Sequence, residues 1–308
     1  MPSQVHNFAE YAEAFELGLT EVYKDELKKL PKQYTDWLRE TPANAFFDTD
    51  WVVSGLGVMP TKEIGAEITT DKIIKGPTKR HGMQPYALAL IIQYEVIRWD
   101  LYDVFEPIVR ELAKSAIDRY NLVAYKFLNE AFTTTDPNYQ TYQLEVPVTQ
   151  THTRLDGGVW SNRLANDEGI SYIGMQEALI LLRKLVNERG RYVAVEPNTV
   201  LVPVDTEWIA ETVINSSLRP GTTDNDKNTL HGKYGIHSSV YFNAQTSYWF
   251  LQCAKSNLAF KVAMRMGDNP DIIRDHDPRT RNRFFSSYCS FEFSTFDTRG
   301  IVGSTGGA

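Results

Sequence analysis

The sequence predicts an α+β fold in which helices and strands follow one another irregularly. Three observations carry that prediction. Helical periods of apolar residues over 7–30, 107–132 and 174–189 are interspersed with short strand-like runs at 86–93, 199–204, 247–252, 258–266 and 284–296. No regular βα repeat links them, which argues against a doubly wound sheet. Between Trp51 and Pro85 lies a polar hairpin arm punctuated by Gly55, Gly57, Gly65, Gly76 and Gly82, with too little apolar surface for a core of its own. Two strands lacking a hydrophobic face are marginal in water. Something must cover this arm, and another copy of the chain is the simplest cover.

Each element follows from local chemistry. Phe8, Tyr11, Phe15, Leu19, Val22, Leu27 and Leu30 step by helical intervals up to Pro31, which ends the helix. Lys24, Lys28 and Lys32 lie on its other face; with Lys29 they make a solvated face rather than a basic stripe facing nucleic acid. Tyr34, Trp37 and Leu38 add a short sticky cluster before Pro42, so residues 1–50 are expected to form an amino-terminal arm. In the hairpin, Ala66–Thr70 and Lys72–Lys75 read as strands around a turn at Thr69–Lys72. Lys62, Lys72, Lys75 and Lys79 would guard its edges against stray pairing.

After the apolar strand Tyr86–Gln93 comes the best-determined helix, with Pro107 as its first residue and Glu106 at the cap. Ile108, Leu112, Ala116, Tyr120, Val123, Phe127 and Ala131 form its stripe over roughly 39 Å at 1.5 Å per residue. Leu101, Val104 and Phe105 suggest a helical lead-in with a kink at the proline. Beyond the polar stretch 133–169, Ala178, Leu181, Leu182, Leu185 and Val186 place a helix over Gly174–Arg189, stopped by Gly190. A strand at Thr199–Val204, a helix at Glu207–Ser217 and a polar loop at Arg219–Gly235 follow. Strands are expected at Val240–Phe242, Ser247–Gln252 and Leu258–Met266. A charged loop, Gly267–Arg283, leads into the alternating strand Phe284–Phe296, and Gly303–Ala308 reads as a small, flexible end.

The 308 residues suffice for a large core, and 42% apolar and 23% charged residues are ordinary globular values. No apolar run spans a bilayer, and Met1-Pro2-Ser3-Gln4 opens no signal peptide. A net charge of −7 excludes nucleic-acid binding by bulk electrostatics, though not proximity to DNA. Cys253 and Cys289 sit in apolar runs and read as small buried hydrophobes rather than a redox or metal pair.

The search for chemistry comes back empty. Gly55-Leu56-Gly57 begins like a dinucleotide fingerprint, but Pro60 stands where the third glycine belongs. Asp224, Asp226 and Asn228 alternate as in a calcium loop, yet Thr229 and Gly235 occupy the positions of its glycine and glutamate. His6, His81, His152, His231, His237 and His276 share no metal-ligand spacing. Asp275-His276-Asp277 lies among Asp268, Asp271, Arg274, Arg279, Arg281 and Arg283, which suggests a salt-bridged loop at a subunit contact. Arg110, Lys114 and Arg119 are interleaved with Glu111 and Asp118, a solvated face. No catalytic, cofactor-binding or metal residue is assigned, and a non-enzymatic protein without cofactor is expected.

The order of elements resembles the major capsid proteins of tailed double-stranded DNA bacteriophages, with the Hong Kong ninety-seven type fold, over nearly the whole chain. Tyr86–Ile92 with Glu95 and Asp100-Leu101-Tyr102 resembles the lead-in to that family's spine helix. Leu201-Val202-Pro203 before the helix Glu207–Ser217 resembles its axial-domain strand and helix. Ser247–Phe250 and Asp297–Ser304 resemble its closing segments. The resemblance implies an amino-terminal arm (1–50), an extended hairpin loop (51–85), a peripheral domain with the spine helix (86–170 and 258–290) and an axial domain (171–257 and 291–308).

It further implies a shell protein that self-assembles into hexamers and pentamers of an icosahedral head around double-stranded DNA. The loop Arg219–Gly235 would touch the capsomer axis, the extended loop would lie over a neighbour, and the arm would latch another. Expected partners are the chain itself, packaged DNA by non-specific contact, and scaffolding, portal and decoration proteins, with no membrane; the expected location is the virion, assembled in the host cytoplasm. Because the sequence starts at the arm, a separate scaffold or prior processing is implied. Some members cross-link a loop lysine to a neighbour's asparagine; Lys62, Lys72, Lys75 and Lys79 with Asn269 or Asn282 are candidates by position only. The alternatives are an encapsulin-type nanocompartment shell, which shares the fold, and a soluble enzyme whose site the sequence does not reveal.

Overall fold

The computed structural model of the chain describes residues 8–43, 45–98, 105–220, 226–243 and 245–307. In chain order, α1 (Phe8–Lys29) is followed by a 3-10 turn at Gln33–Asp36 and β1 (Arg39–Pro42). The hairpin strands β2 (Phe47–Val53) and β3 (Lys75–Gly82) lead into β4 (Gln84–Ile92), the short α2 (Tyr94–Arg98) and the 25-residue α3 (Phe105–Asn129). Then come β5 (His152–Thr153), β6 (Val159–Trp160), α4 (Tyr172–Arg183), β7 (Pro197–Pro203) and α5 (Glu207–Asn215). β8 (Gly235–Ser239), β9 (Trp249–Cys253), β10 (Phe260–Met266), β11 (Asp271–His276), β12 (Arg283–Thr298) and β13 (Ile301–Ser304) complete the chain.

The long strand β12 organises the larger sheet. Its first half pairs antiparallel with β4 on one side and β11 on the other; its second half pairs with β10, which takes β1 as a parallel neighbour. From Cys289 to Thr298 every residue of β12 is buried. Phe291 packs on Tyr120 of α3 at 4.3 Å between ring centroids, and Phe293 on Phe127 at 5.3 Å, so the helix lies along the sheet. A smaller four-stranded sheet, ordered β13-β9-β7-β8, carries α4 and α5. Ser171 caps α4 by accepting the Gly174 N–H at 3.0 Å. One continuous core joins the two sheets: Trp37, Tyr125, Phe127, Val200, Leu201, Phe250, Phe260, Ile301 and Val302 all belong to it.

Between the sheets sits a buried charge cluster. Arg299, 3% exposed, donates to Val186 O (2.7 Å) and Asp297 Oδ2 (2.9 Å) and lies 2.6 Å from Glu188 Oε1. Glu188 in turn accepts the Tyr142 hydroxyl (2.6 Å) and the Leu155 N–H (2.8 Å). The turn at Gly300 beside it is close-packed, since a Cβ there would fall 2.5 Å from Phe260 Cβ and 2.6 Å from Cys253 Sγ.

The mixed class, helices α1, α3 and α5 and the positions of β4, β7, β9, β10 and β12 agree with expectation within a few residues. Several readings need correction. The leading segment is no free arm from Leu19 onward: Leu19 and Tyr23 pack in a second cluster with Val109, Leu112 and Phe285, Trp37 is 1% exposed, and β1 enters the larger sheet. The hairpin strands are β2 and β3; Ala66–Thr70 and Lys72–Ile74 lie outside any paired strand. α3 begins before Pro107; Leu112, Ala116, Tyr120 and Phe127 of the expected stripe are buried, joined by Val109, Ala113 and Ile117, while Ile108 is exposed. Leu101 and Val104 lie outside the described residues.

α4 stops at Arg183, because the chain turns back at Gly190 (φ +73°) to pair Val186 with Tyr192. Val240–Phe242 is a turn after β8, and the charged loop contains β11. Its Asp277 caps the turn by accepting from Arg279 N and Thr280 Oγ1. The carboxyl end is not loose through Ser304, since Ile301–Ser304 is a fully buried strand.

Candidate assembly surfaces

The base of the hairpin is fixed to its own subunit by polar contacts. Lys79 is 7% exposed, and its ammonium donates to Thr295 O (2.5 Å), Gln140 O (2.6 Å) and Asn138 O (3.4 Å), one proton for each acceptor. Arg265 pairs with Asp48 and Asp50 on β2, and the fully buried His81 lies 3.3 Å from Asp50 Oδ2. Val52 packs with Tyr142, Phe296 and Leu155, and a Cβ at Gly76 would come within 2.3 Å of Val52, so the strand runs close against the body.

Beyond this base the two arms are tied by a few bonds, and Ala66 N–H donates to Glu63 O in a turn at the tip. Ser54 N–H donates to Ile74 O at 2.9 Å, and Asp71 accepts Gly57 N–H at 2.7 Å while pairing with Arg189 at 2.5 Å. These donors hold the Asp71 carboxyl below its ordinary range. From Val58 to Thr70 every residue is exposed, including Met59 (91%), Ile64 and Ile68 (79%). The tip is therefore more apolar than the sequence reading held. A large side chain of this kind is worth about 1.5–3 kcal/mol when buried, so a surface that presents several together is one for association.

A groove of about 460 Å³ runs between α3 and β4. Leu112, Ala116, Ser287 and Cys289 line its depth, while Tyr86, Leu88, Glu111, Arg119 and Leu122 stand along it. A second hollow of about 370 Å³ continues it past Tyr86, Arg119 and Leu122 to Lys126, Asp136 and Glu292. Glu292 is 3% exposed, and burial together with the Asp136 charge pushes its carboxyl up to about 7 against the opposing pull of Lys79. Burial pulls the Lys79 ammonium down to about 8. Elsewhere, α5 turns Trp208 (76% exposed) and Ile209 outward beside Val204.

The remaining residues singled out by sequence find structural places. Lys24, Lys28 and Lys32 pair separately with Asp271, Asp25 and Glu40 rather than forming a shared anion site. Asn228 is buried and serves the chain itself, donating to Val213 O and Ser216 O; Asp224 lies outside the described residues. Asn269 is exposed, and Asn282 accepts the Tyr94 N–H. Cys253 and Cys289 are free and buried, and burial lifts both thiols above their ordinary value. Among the described residues no group of three or more His, Cys, Asp or Glu could hold a metal ion, and no helix is long and apolar enough to cross a membrane. Sequence reasoning missed the Lys79 anchor and the Glu292 hollow, because their partners lie far along the chain and are largely backbone carbonyls.

Comparison with known proteins gives a family and a fold. A family model described as phage capsid protein matches residues 80–304. A structure from Microbacterium phage Oxtober96 superposes with a TM-score of 0.54 at 10% identity, covering 88% of this chain and 90% of that one. The capsid of an empty GTA particle gives a TM-score of 0.57 at 10% identity over 88% of both chains. The SrpI encapsulin from Synechococcus elongatus gives 0.53 at 11% identity, covering 90% of this chain and 88% of that one. No curated protein matches. At these identities the structures establish the fold alone.

Proposed function

The chain belongs to the phage capsid protein family, a structural major capsid protein with the Hong Kong ninety-seven type fold, and from that premise we propose how it builds a shell. Copies associate into hexamers and pentamers of an icosahedral head, with the virion capsid as their place of action. The exposed apolar hairpin tip, joined to a rigidly anchored base, is the observation that supports this reading. A tip that keeps Met59, Ile64 and Ile68 in water loses on the order of 1.5–3 kcal/mol per side chain relative to burial, and a neighbouring copy recovers it. The contact joins unlike surfaces, tip to body, so it is heterologous, and repeated around an axis it closes into rings.

In this reading the larger sheet with α3 forms the peripheral domain, and the smaller sheet with α4 and α5 forms the axial domain, its outward Trp208 meeting a neighbour near the capsomer axis. The enclosed double-stranded DNA is confined rather than gripped: a chain of net charge −7 offers no bulk attraction to phosphate. Scaffolding, portal and decoration proteins complete the assembly, which takes place in the host cytoplasm. Electron microscopy of the expressed protein, alone and with neighbouring gene products, tests the proposal. Closed shells of phage-head size support it, a chain that stays monomeric by light scattering both alone and with those gene products overturns it, and a small uniform shell holding an enzyme cargo would favour a nanocompartment.

A further inference from the structure

His152 is 1% exposed, and both nitrogens of its ring meet an acceptor. Nδ1 lies 2.9 Å from Glu145 Oε2, and Nε2 lies 3.0 Å from Asn162 Oδ1. The Asn162 amide is fixed in that sense by its other bonds. Its Oδ1 also accepts the Thr149 N–H at 3.0 Å, and its Nδ2 donates to Pro147 O at 2.9 Å and to Thr298 Oγ1 at 3.4 Å. Turned over, it would set NH2 against an N–H and C=O against a C=O. Glu145 is equally committed as an acceptor, taking the Thr153 N–H at 3.1 Å and the Thr153 hydroxyl at 2.8 Å. Burial opposes its ionisation, yet the bonds from His152 and Thr153 hold the Glu145 carboxyl below its ordinary range, so it has no proton to offer. Two acceptors call for two ring N–H donors, which is an imidazolium.

The charges around the ring suit a cation. Glu145 faces it directly, and the ring stacks on Trp160 at 4.2 Å between centroids. The same indole carries the Arg299 guanidinium at 4.5 Å, and Arg299 is itself shared between Glu188 and Asp297. In the β5–β6 turn Arg154 and Asp156 pair with each other and cancel. Glu145, Glu188 and Asp297 against Arg299 leave the negative sign in excess, which a second cation offsets.

What the ring fastens bears on the hairpin. Residues 145–162 reach β12 and β13 through Asn162, whose side chain bonds Thr298 and whose C=O accepts the Gly303 N–H at 2.9 Å. Leu155, in the β5–β6 turn, packs with Val52 of β2, and a Cβ on Gly76 of β3 would fall 2.9 Å from it. This lobe is therefore part of the floor on which the hairpin base rests. When one ring proton leaves, a lone pair takes the place of an N–H. Either it faces Asn162 Oδ1 across 3.0 Å with no proton between two acceptors, or the amide turns over and gives up Thr149, Pro147 and Thr298.

We propose that His152 is a proton-operated latch: doubly protonated, it clamps residues 145–162 to the end of β12, and loss of one proton loosens this lobe beneath the hairpin base. Because the clamped lobe carries one proton more than the loosened one, low pH holds it and rising pH releases it. The latch works within one subunit, whatever the copies build.

Amide hydrogen exchange of the full chain, read by mass spectrometry over residues 145–162 and corrected for the intrinsic effect of pH, follows the latch. Protection there is expected to fall at least about tenfold through a one-proton transition as pH rises, while α3 keeps its protection. Glu145→Gln removes the facing charge and is expected to move that transition to lower pH by about one unit or more, a displacement that a merely structural side chain would not produce. Nitrogen NMR of the chain labelled at histidine is expected to show both His152 nitrogens protonated on the low-pH side, the signal being identified by its absence from His152→Gln. Protection that ignores pH while α3 stays folded, an unmoved transition in Glu145→Gln, or a His152 ring with one bare nitrogen at every pH overturns the latch. Should either variant fail to fold, the exchange profile of the native chain decides by itself.

Discussion

Replacing Glu292 with glutamine tests the electrostatics of the hollow beneath α3. In the folded chain this carboxyl is raised from an ordinary 4.5 to about 7 by burial and by Asp136, with Lys79 opposing. Between those values the folded chain holds a proton that the unfolded chain has released, so stability falls as pH rises. The contribution is complete below about 4.5 and lost above about 7. At 1.36 kcal/mol per pKa unit the rise is worth about 3 kcal/mol, and at 3% exposure solvent screens little of it. Glu292→Gln keeps the shape and cannot ionise. Urea unfolding of the dissociated subunit at several pH values across that window provides the assay. The charges of Asp136 and Lys79 act on this position in both proteins, so the quantity to follow is the difference between native and variant. It should shift by about 3 kcal/mol in favour of the variant as pH rises from about 4.5 to about 7. A difference that stays flat with pH would refute the buried, proton-holding carboxyl.

Three further outcomes follow from the same geometry. Arg299→Met removes the cation between Asp297 and Glu188 and leaves two buried carboxylates uncompensated, a loss of about 3–5 kcal/mol to be read as a lowered urea midpoint; an unchanged midpoint would show that water reaches the cluster. Gly300→Ala forces a methyl against Phe260 and Cys253 and should cost about 1–3 kcal/mol by the same assay. Ile68→Asp at the tip should alter subunit stability by no more than about 0.5 kcal/mol while reducing shell yield by microscopy; full yield would remove the tip from the assembly contact.

Particular elements show why some of this was legible in the sequence and some was not. α1, α3 and α5 were legible because a helix closes its hydrogen bonds within a few residues and repeats its apolar side chains every three or four positions. Most of the stripe on α3 was placed correctly, but Ile108 and Val109 are equally apolar, and only the packing of α1 and the larger sheet against the helix selects Val109. β12 announced itself by alternation. β1, β11 and β13 did not, because Arg39–Pro42 and Asp271–His276 are strands by virtue of the strands beside them, and Ile301–Ser304 is too short to show a period. The hairpin was recognised as needing a cover, yet its strands were placed at the tip, whereas the paired strands are β2 and β3 at its base.

By itself, then, the sequence determined the mixed class, the principal helices, the absence of a recognisable catalytic motif and the existence of a protruding segment that cannot complete its own burial. Those properties are written in local period and composition. Only the tertiary structure decided that Lys79 is a buried anchor rather than a solvated lysine, that Trp37 belongs to the core, and that β4 pairs with β12 beside a groove under α3. The reason is physical: burial, register and the fate of a backbone carbonyl depend on residues far away in the chain, 59, 61 and 216 positions for the carbonyls that Lys79 reaches, and no short window of sequence contains both partners.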